Sequence, residues 1–205
     1  LDRIREICNE HGILLILDEV ITGFGRTGKS FGAESFNVTP DIMTIAKGMT
    51  SGMIPMGGVL VKQEIYDTFM TGPEDSIEFF HGYTYSGHPL AAAAGVAAIE
   101  VYEEEGLFQR ASELAPILEA ELQTIKGSQY VIDIRNFGML GAVELEPIDG
   151  KPTARALSVF RECYSRGVLV RTTGDTVALC PPLIASEEQV KTMVQTVKES
   201  IAAID

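Results

Sequence analysis

Tryptophan is absent from this chain of 205 residues, cysteine occurs only three times, and basic residues are scarce. The 16 Lys and Arg residues stand against 29 Asp and Glu residues, which gives a formal net charge of −13. Because binding to phosphates requires a basic surface, this balance argues against a nucleic-acid partner. Cys8, Cys163 and Cys180 are odd in number and lack CxxC spacing. They therefore predict neither a disulfide framework nor a structural zinc site, and they favour a reducing cytoplasm.

Neither a secretory signal peptide nor a membrane span is predicted from the sequence. The stretch 42–61 contains Lys47 as its only charged residue, but Pro55 and four glycines argue against a membrane helix there. The hydrophobic fraction of 45% and the charged fraction of 22% are typical of a soluble globular protein with a substantial core. The first residues lack an initiator methionine and lie within a predicted helix, so we expect the functional protein to be longer than this chain.

Helical and apolar patterns alternate along the chain and predict an α/β fold. An all-apolar run at 13–17 predicts a strand buried on both faces, and a second apolar strand is predicted at 42–46. The composition shifts near the run Glu103-Glu104-Glu105-Gly106, which predicts a domain boundary after residue 105. The other predicted helices lie at 1–12, 63–70, 89–104, 107–126, 152–166 and 186–203, and the other strands at 58–62, 130–136, 139–146, 168–171 and 176–180.

The segment Gly23-Phe24-Gly25-Arg26-Thr27-Gly28 matches the pattern GxGxxG, which in some proteins binds a dinucleotide. Its context argues against that function, because Asp18 and Glu19 precede the glycines and would repel a pyrophosphate. The acid expected about 20 residues further on should end the next strand, whereas Asp41 precedes it. We therefore favour a flexible loop, in which the glycines permit tight turns, and keep dinucleotide binding as a minor alternative.

Asp18 and Lys47 each follow a predicted apolar strand, and they are the most informative residues of the sequence. Side chains at the carboxyl ends of strands lie where open α/β folds bind ligands. A partly desolvated Lys47 would have a nucleophilic amine, as Schiff-base chemistry requires. Asp18 could instead be a helix cap or a salt-bridged structural acid, and Lys47 a lysine that reaches the surface past an apolar stem. An acid and a lysine at two strand ends nevertheless suggest pyridoxal phosphate, which uses this pair.

Three blocks of the sequence resemble the class-III pyridoxal-phosphate aminotransferases, a fold-type I family that includes the omega-amino-acid:pyruvate transaminases. The first and most specific is LLILDEVITGFGRTGKSFGAESFNVTPDIMTIAKG at 14–48. The second is HGYTYSGHP at 81–89, and the third is GVLVR at 167–171 with GDTVALCPPL after it. The resemblance implies that residues 1–105 are the C-terminal part of the large domain with its mostly parallel sheet. Residues 106–205 would form the small α+β C-terminal domain.

The same resemblance implies roles for five residues. Lys47 would form the Schiff base with the cofactor and then move the proton of the substrate Cα, and Asp18 would pair with the protonated ring nitrogen. Val20 would pack on one face of the ring. Thr84 would donate its hydroxyl to the phosphate of the neighbouring subunit's cofactor, so a homodimer is expected. Arg171 would bind a substrate carboxylate.

The implied activity is ping-pong transfer of an amino group from an amine or omega-amino acid to a keto acid such as pyruvate. No metal is implied, and His81 and His88 are assigned structural roles. Family members are about twice as long, so the chain corresponds to the C-terminal half and is expected to be inactive alone. Two alternatives stay open at this point: a catalytically incomplete fragment or pseudo-enzyme that serves as a dimer partner, and the dinucleotide-binding protein.

Overall fold

The computed structural model describes residues 1–75 and 79–204. The chain divides into two compact units, which are described separately. The first unit contains Leu1–Phe24 and Lys29–Gly106, and the second contains Gly25–Gly28 and Leu107–Asp205. Each unit combines helices with one β-sheet, as the predicted α/β class requires.

The first unit has a three-stranded sheet that brings two strand ends to one edge. Strands β1 (Ile16–Asp18) and β2 (Ile42–Ala46) are parallel, with Asp18 opposite Thr44. Strand β3 (Gly57–Val61) is antiparallel to β2 and completes the order β1-β2-β3. Because β1 and β2 run in the same direction, their carboxyl ends lie at the same edge of the sheet.

Helices flank these strands in the first unit. They are α1 (Asp2–His11), the four-residue α2 (Gly32–Ser35), a 3-10 helix (Lys47–Thr50), α3 (Gln63–Phe69) and α4 (Pro89–Glu104). Helix α4 packs against the 3-10 helix that follows β2. The segment directly after the sheet's central strand is therefore supported by a helix of 16 residues.

The predicted burial of the first strand on both faces is wrong. Strand β1 begins at Ile16 rather than residue 13, and Ile13, Leu14 and Ile16 are all exposed. Leu15 points to the opposite face and belongs to a small cluster with Cys8 and Val38. In this structure only one face of β1 is packed, so the side chains from Leu14 to Asp18 alternate between more exposed and more covered.

A buried ion cluster lies at the amino end of β2. Asp41 is 8% exposed, and its Oδ2 accepts hydrogen bonds from Arg5 Nη1 and the Leu15 amide, both at 2.7 Å. Its Oδ1 lies 2.7 Å from Lys62 Nζ. The Lys62 ammonium, the Leu15 amide and the Arg5 guanidinium hold the pKa of the Asp41 carboxyl far below its usual range. One carboxylate thus joins α1, the chain entering β1 and the chain leaving β3.

The second unit contains a four-stranded antiparallel sheet in the order β4-β5-β7-β6. Helices α5 and α6 pack on this sheet, and α7 packs on both helices. The strands are β4 (Val131–Phe137), β5 (Leu140–Leu145), β6 (Arg171–Thr173) and β7 (Thr176–Leu179), and the helices are α5 (Leu107–Gln123), α6 (Ala154–Ser165) and α7 (Glu187–Ala202). The prediction of a strand at 168–171 is shifted, because β6 begins at Arg171 instead of ending there.

The core of the described chain is concentrated in the second unit. Its residues supply the largest side chains that are less than 2% exposed: Leu118, Leu122, Ile125, Met139, Val143, Leu145, Val159, Val177, Leu179, Val190, Val194 and Ile201. Most of them come from the three helices and from β5 and β7, so the helices cover one face of the two central strands.

Candidate active site

Asp18 is the last residue of β1, and its carboxylate is held by its neighbours. Asp18 Oδ1 accepts hydrogen bonds from the Val20 amide at 3.1 Å and from Thr44 Oγ1 at 3.0 Å. The Glu19 amide donates to the Thr44 carbonyl at 2.9 Å, which extends the β1–β2 pairing by one bond. Within residues 1–75 and 79–204, no donor reaches Oδ2. The exposed side chain is therefore oriented and still has one oxygen available to a ligand.

Glu19 is a structural residue whose role the sequence did not reveal. It is 2% exposed, and its carboxylate accepts hydrogen bonds from the amides of Gly32 at 2.9 Å and Ala33 at 2.6 Å. The Thr22 hydroxyl also donates to Oε2. Glu19 thereby ties the turn after β1 to the start of α2. The only sequence signal was an acid directly after an apolar run, which does not show its partners.

Lys47 follows β2 and begins the 3-10 helix with φ of 49°, a left-handed conformation that is uncommon for residues other than glycine. Residues held in such conformations cluster at functional sites, because the surrounding structure must compensate for the strain. The expected desolvation of Lys47 is wrong for this structure, since its side chain lies beyond the strand end and is exposed. Its amine makes no ion pair or hydrogen bond with the described part of the chain.

The backbone around Lys47 is packed from within the first unit. A Cβ atom added to Gly48 would lie 2.6 Å from Cβ of Phe24, so only glycine fits there. The hydroxyl of Tyr102 in α4 donates to the Gly48 carbonyl at 2.6 Å. Neither Phe24 nor Tyr102 was identified as a site residue from sequence, because their contacts join distant parts of the chain.

The GxGxxG glycines are required by packing, and the dinucleotide hypothesis is wrong. In the first unit, a Cβ at Gly23 would lie 2.8 Å from the Glu19 carbonyl oxygen. In the second unit, a Cβ at Gly25 would lie 2.5 Å from Phe108 Cδ1, and one at Gly28 would lie 2.7 Å from Ser112 Oγ. The dinucleotide motif also requires a helix that begins directly at its glycines, whereas the next helix here, α2, begins at Gly32.

Thr84 lies in an exposed loop of the first unit, apart from Asp18 and Lys47. Its hydroxyl donates to the Gly82 carbonyl at 3.4 Å, a long hydrogen bond that a better acceptor would replace. Thr84 lines an open pocket of about 480 Å³ together with Ile54, Met56 and other residues of 83–91. Among the described residues, the lining of that pocket includes neither of the two strand-end residues.

Two other predicted residues are placed as follows. Val20 is partly buried in the turn after β1, where its amide holds Asp18. Arg171 begins β6 in the second unit, opposite Ala178 of β7, and its side chain is exposed. Its guanidinium makes no ion pair with residues 1–75 or 79–204. The structure thus brings Asp18, Val20 and Lys47 to the carboxyl edge of one sheet, while Thr84 lies in a loop of the same unit and Arg171 belongs to the second unit.

The histidines predicted to be structural occupy the loop around Thr84. The His81 ring lies between aromatic rings, 5.5 Å from Phe79 and 4.9 Å from Tyr83 by ring centroids. His88 precedes α4. Across the described ranges, no group of three or more His, Cys, Asp or Glu side chains is arranged to hold a metal ion. None of the helices described is both long and apolar enough to cross a membrane.

The sequence profile of the family "Aminotransferase class-III" matches residues 1–201. The chain belongs to this family. The resemblance found in the sequence is thereby confirmed, and so is the predicted α/β class of the family fold. Pyridoxal phosphate, the cofactor expected from the strand-end acid and lysine, is the cofactor of this family.

Named relatives cover the whole of this class-III chain. An omega-aminotransferase of Caulobacter vibrioides is 48% identical over 205 residues, which is 100% of this chain and 47% of that protein. An omega-amino acid–pyruvate aminotransferase of Pseudomonas putida is 50% identical over 201 residues, 97% of this chain and 45% of that protein. The chain therefore spans about half the length of the curated relatives it matches.

Solved structures give the same result for this class-III chain. A transaminase from the marine bacterium Virgibacillus matches with a TM-score of 0.87 at 42% identity, over 98% of this chain and 47% of that one. An amine transaminase from an uncultivated Pseudomonas species, solved with pyridoxal phosphate bound, matches with a TM-score of 0.89 at 36% identity. That match covers 98% of this chain and 47% of the other.

The strand-end residues fit pyridoxal phosphate by the chemistry of their groups. A pyridinium nitrogen needs an anionic acceptor, and Asp18 Oδ2 has no donor from the described residues. The cofactor's carbonyl carbon needs an amine, and the exposed Lys47 amine has no competing partner in the same ranges. The two groups lie at the carboxyl ends of paired parallel strands, which is the edge of the sheet where open α/β folds bind ligands.

Proposed function

We propose that the protein carrying this chain is a transaminase that uses pyridoxal phosphate. It transfers an amino group from an amine or omega-amino acid to a keto acid such as pyruvate. The observation that supports this most directly is the placement of Asp18 and Lys47 after paired parallel strands of a class-III chain. The names of relatives from Pseudomonas, which include beta-alanine–pyruvate and putrescine–pyruvate aminotransferases, support the substrate classes.

Three residues of the first unit perform the chemistry in this proposal. Pyridoxal phosphate, when bound, supplies an electron sink for the bond that breaks at the substrate Cα. Asp18 accepts a hydrogen bond from the ring nitrogen and keeps that nitrogen protonated, because a nearby carboxylate favours the charged form. Lys47 would bind the cofactor covalently and, as a free amine, would move the proton from the substrate Cα to the C4′ carbon of the cofactor. Val20 packs against one face of the ring.

Thr84 contacts a second subunit in this proposal. Its hydroxyl lies in an open pocket that the strand-end residues do not line, which suits a role toward another cofactor. We therefore propose a homodimer, in which Thr84 donates a hydrogen bond to the phosphate held by the neighbouring subunit. A reducing cytoplasm is the proposed location, and the three cysteines are free thiols, as that compartment requires.

Arg171 selects the substrate's carboxylate in this proposal. A guanidinium binds a carboxylate through two parallel hydrogen bonds, which gives both affinity and orientation. Support comes from its exposure and from the lack of an ion-pair partner among the described residues. Substrates with a carboxylate should therefore depend on Arg171 more strongly than simple amines do.

The replacement Lys47→Ala tests the proposed function. Transaminase turnover by the protein carrying this chain should fall by roughly 10²–10⁴-fold or more, because the group that moves the Cα proton is lost. The matched control is Lys29→Ala, an exposed lysine of the same unit, which should leave turnover unchanged. Donor and acceptor pairs should be screened with the unmodified protein first.

Two outcomes would contradict this proposal. A folded Lys47→Ala protein with full activity would exclude Lys47 as the catalytic amine. An unmodified protein that binds pyridoxal phosphate but transfers no amino group with any donor would favour the non-catalytic dimer partner.

A further inference from the structure

The turn after β2 holds Lys47 in a conformation that needs support. Lys47 has φ of 49°, and Ser51 at the end of the same 3-10 helix has φ of 51°. Two backbone hydrogen bonds close the turn, from the Ser51 amide to the Gly48 carbonyl at 3.0 Å and from the Gly52 amide to the Lys47 carbonyl at 3.1 Å. Left-handed backbone is disfavoured for lysine. These two hydrogen bonds must therefore hold Lys47 against a relaxed backbone conformation, in which its amine would point in another direction.

Tyr102 adds a long-range hydrogen bond to this turn. Its ring is buried in α4, 8% exposed, and its hydroxyl lies 2.6 Å from the Gly48 carbonyl oxygen. The Gly48 carbonyl already accepts the Ser51 amide, so the hydroxyl is not required to satisfy it. A phenylalanine would fill the same apolar space. The additional bond therefore fixes the orientation of the Gly48–Met49 peptide, which begins one residue after Lys47.

Phe24 holds the same peptide from another direction. Its Cβ and ring atoms occupy the space beside Gly48, where an added Cβ would lie 2.6 Å from Phe24 Cβ and 3.0 Å from Cγ. The Phe24 ring is 6.2 Å from the Tyr102 ring and 5.5 Å from the Phe31 ring by centroids. Gly48 thus packs against the Phe24 side chain, and its carbonyl oxygen accepts a hydrogen bond from the Tyr102 hydroxyl.

From this arrangement we infer that Tyr102 is a positioning residue for Lys47. Its hydroxyl binds the carbonyl of the Gly48–Met49 peptide and thereby supports the turn in which Lys47 keeps its left-handed conformation. In this proposal Tyr102 acts on Lys47 through the peptide whose carbonyl it binds. The inference rests on the proposed function, in which Lys47 moves the proton at the substrate Cα.

The variant Tyr102→Phe tests this inference, with Tyr66→Phe as the matched control on an exposed tyrosine of the same unit. In the cofactor-free protein, amide hydrogen exchange across residues 47–53 should become about fivefold faster, because one hydrogen bond to the turn is lost. In the active protein, kcat should fall about five- to tenfold with KM within about twofold. The primary isotope effect for a substrate deuterated at Cα should increase, since proton transfer becomes slower than the other steps.

A role in stability alone gives a different result. Tyr102→Phe would then lower the midpoint of unfolding, while kcat per folded protein and the isotope effect would match those of Tyr66→Phe. That outcome, or unchanged hydrogen exchange across 47–53, would overturn the inference. If Tyr102→Phe fails to fold, Phe24→Leu serves instead, with the same expected faster exchange and larger isotope effect. Failure of the proposed function is distinguishable, because activity would then be absent or insensitive to Lys47→Ala while the exchange measurement still reports on Tyr102.

Discussion

The two units of this class-III chain differ most in how completely each buries its own apolar side chains. In the second unit, Leu118, Val143 and Val177 are 0% exposed, and helices cover one face of the sheet. In the first unit, the core cluster of Cys8, Leu15 and Val38 is small, and apolar side chains of β1 and β3 are exposed. The unit with the less complete core is also the one that contains Asp18 and Lys47.

The two units are also held together by different interactions. The first unit instead relies on polar anchors, the Asp41 ion cluster at the amino end of β2 and Glu19 after β1. Binding regions commonly belong to the less stable parts of a protein, because they must accept and release ligands.

The largest effect expected from the difference between the two units is in the reactivity of their cysteines. Cys163 in the second unit is fully buried, and burial raises the pKa of its thiol, whereas Cys180 is exposed. In native buffer, alkylation of Cys163 should be at least roughly 10³-fold slower than that of Cys180. With increasing denaturant, Cys8 of the first unit should become reactive before Cys163. Mass spectrometry after a short labelling pulse measures both, and coincident exposure of Cys8 and Cys163 would show that the units unfold together.

A pair of core truncations gives the next largest effect. Leu118→Ala in the second unit should lower the free energy of unfolding of the 205-residue chain by about 2–5 kcal/mol, since it creates a cavity in a closed core. Ile16→Ala in β1 should cost less than about 1 kcal/mol, because that side chain is already 57% exposed. Denaturant titration followed by circular dichroism measures both. Equal losses would refute the difference in core closure.

The Asp41 cluster gives a smaller effect that depends on pH. Asp41→Asn should lower the free energy of unfolding of the first unit by about 1–3 kcal/mol, because Arg5 and Lys62 lose their common partner. Glu6→Gln, which removes an exposed ion pair with Arg3 on α1, is the matched control and should have no measurable effect. A loss as small as the control's would show that the cluster does not stabilise the unit.

The sign of the pH dependence follows from the lowered pKa of Asp41. A carboxyl whose folded-state pKa is depressed contributes stability that is fully present above its unfolded pKa of about 3.9. That contribution is lost as the pH falls below this value toward the folded-state pKa. The free energy of unfolding of the unmodified chain should therefore decrease steeply below about pH 4. That of Asp41→Asn should decrease less steeply over the same pH range. Identical acid limbs in thermal melts would exclude Asp41 as the titrating group.

The sequence predicted elements well where the pattern is local. Strand β2 has the predicted bounds, and helix α4 begins and ends where its alanine-rich pattern does. The sequence predicted strands less well where packing against distant segments determines their bounds and burial. The first strand is shorter and more exposed than expected, and β6 begins at Arg171 instead of ending there. An apolar run looks the same in a central strand and an edge strand, because the run does not reveal which faces will be covered.

The candidate site shows the same division. The positions of Asp18 and Lys47 at strand ends, the family and the cofactor could be read from sequence, since each depends on residues adjacent in the chain. Only the tertiary structure revealed that Asp41 binds Arg5, 36 residues away, and that Tyr102 binds Gly48, 54 residues away. Only the tertiary structure showed Lys47 exposed and in a left-handed conformation. The physical reason is that propensity and periodicity act within a few residues, whereas burial, strain and hydrogen-bond partners depend on segments that the fold brings together.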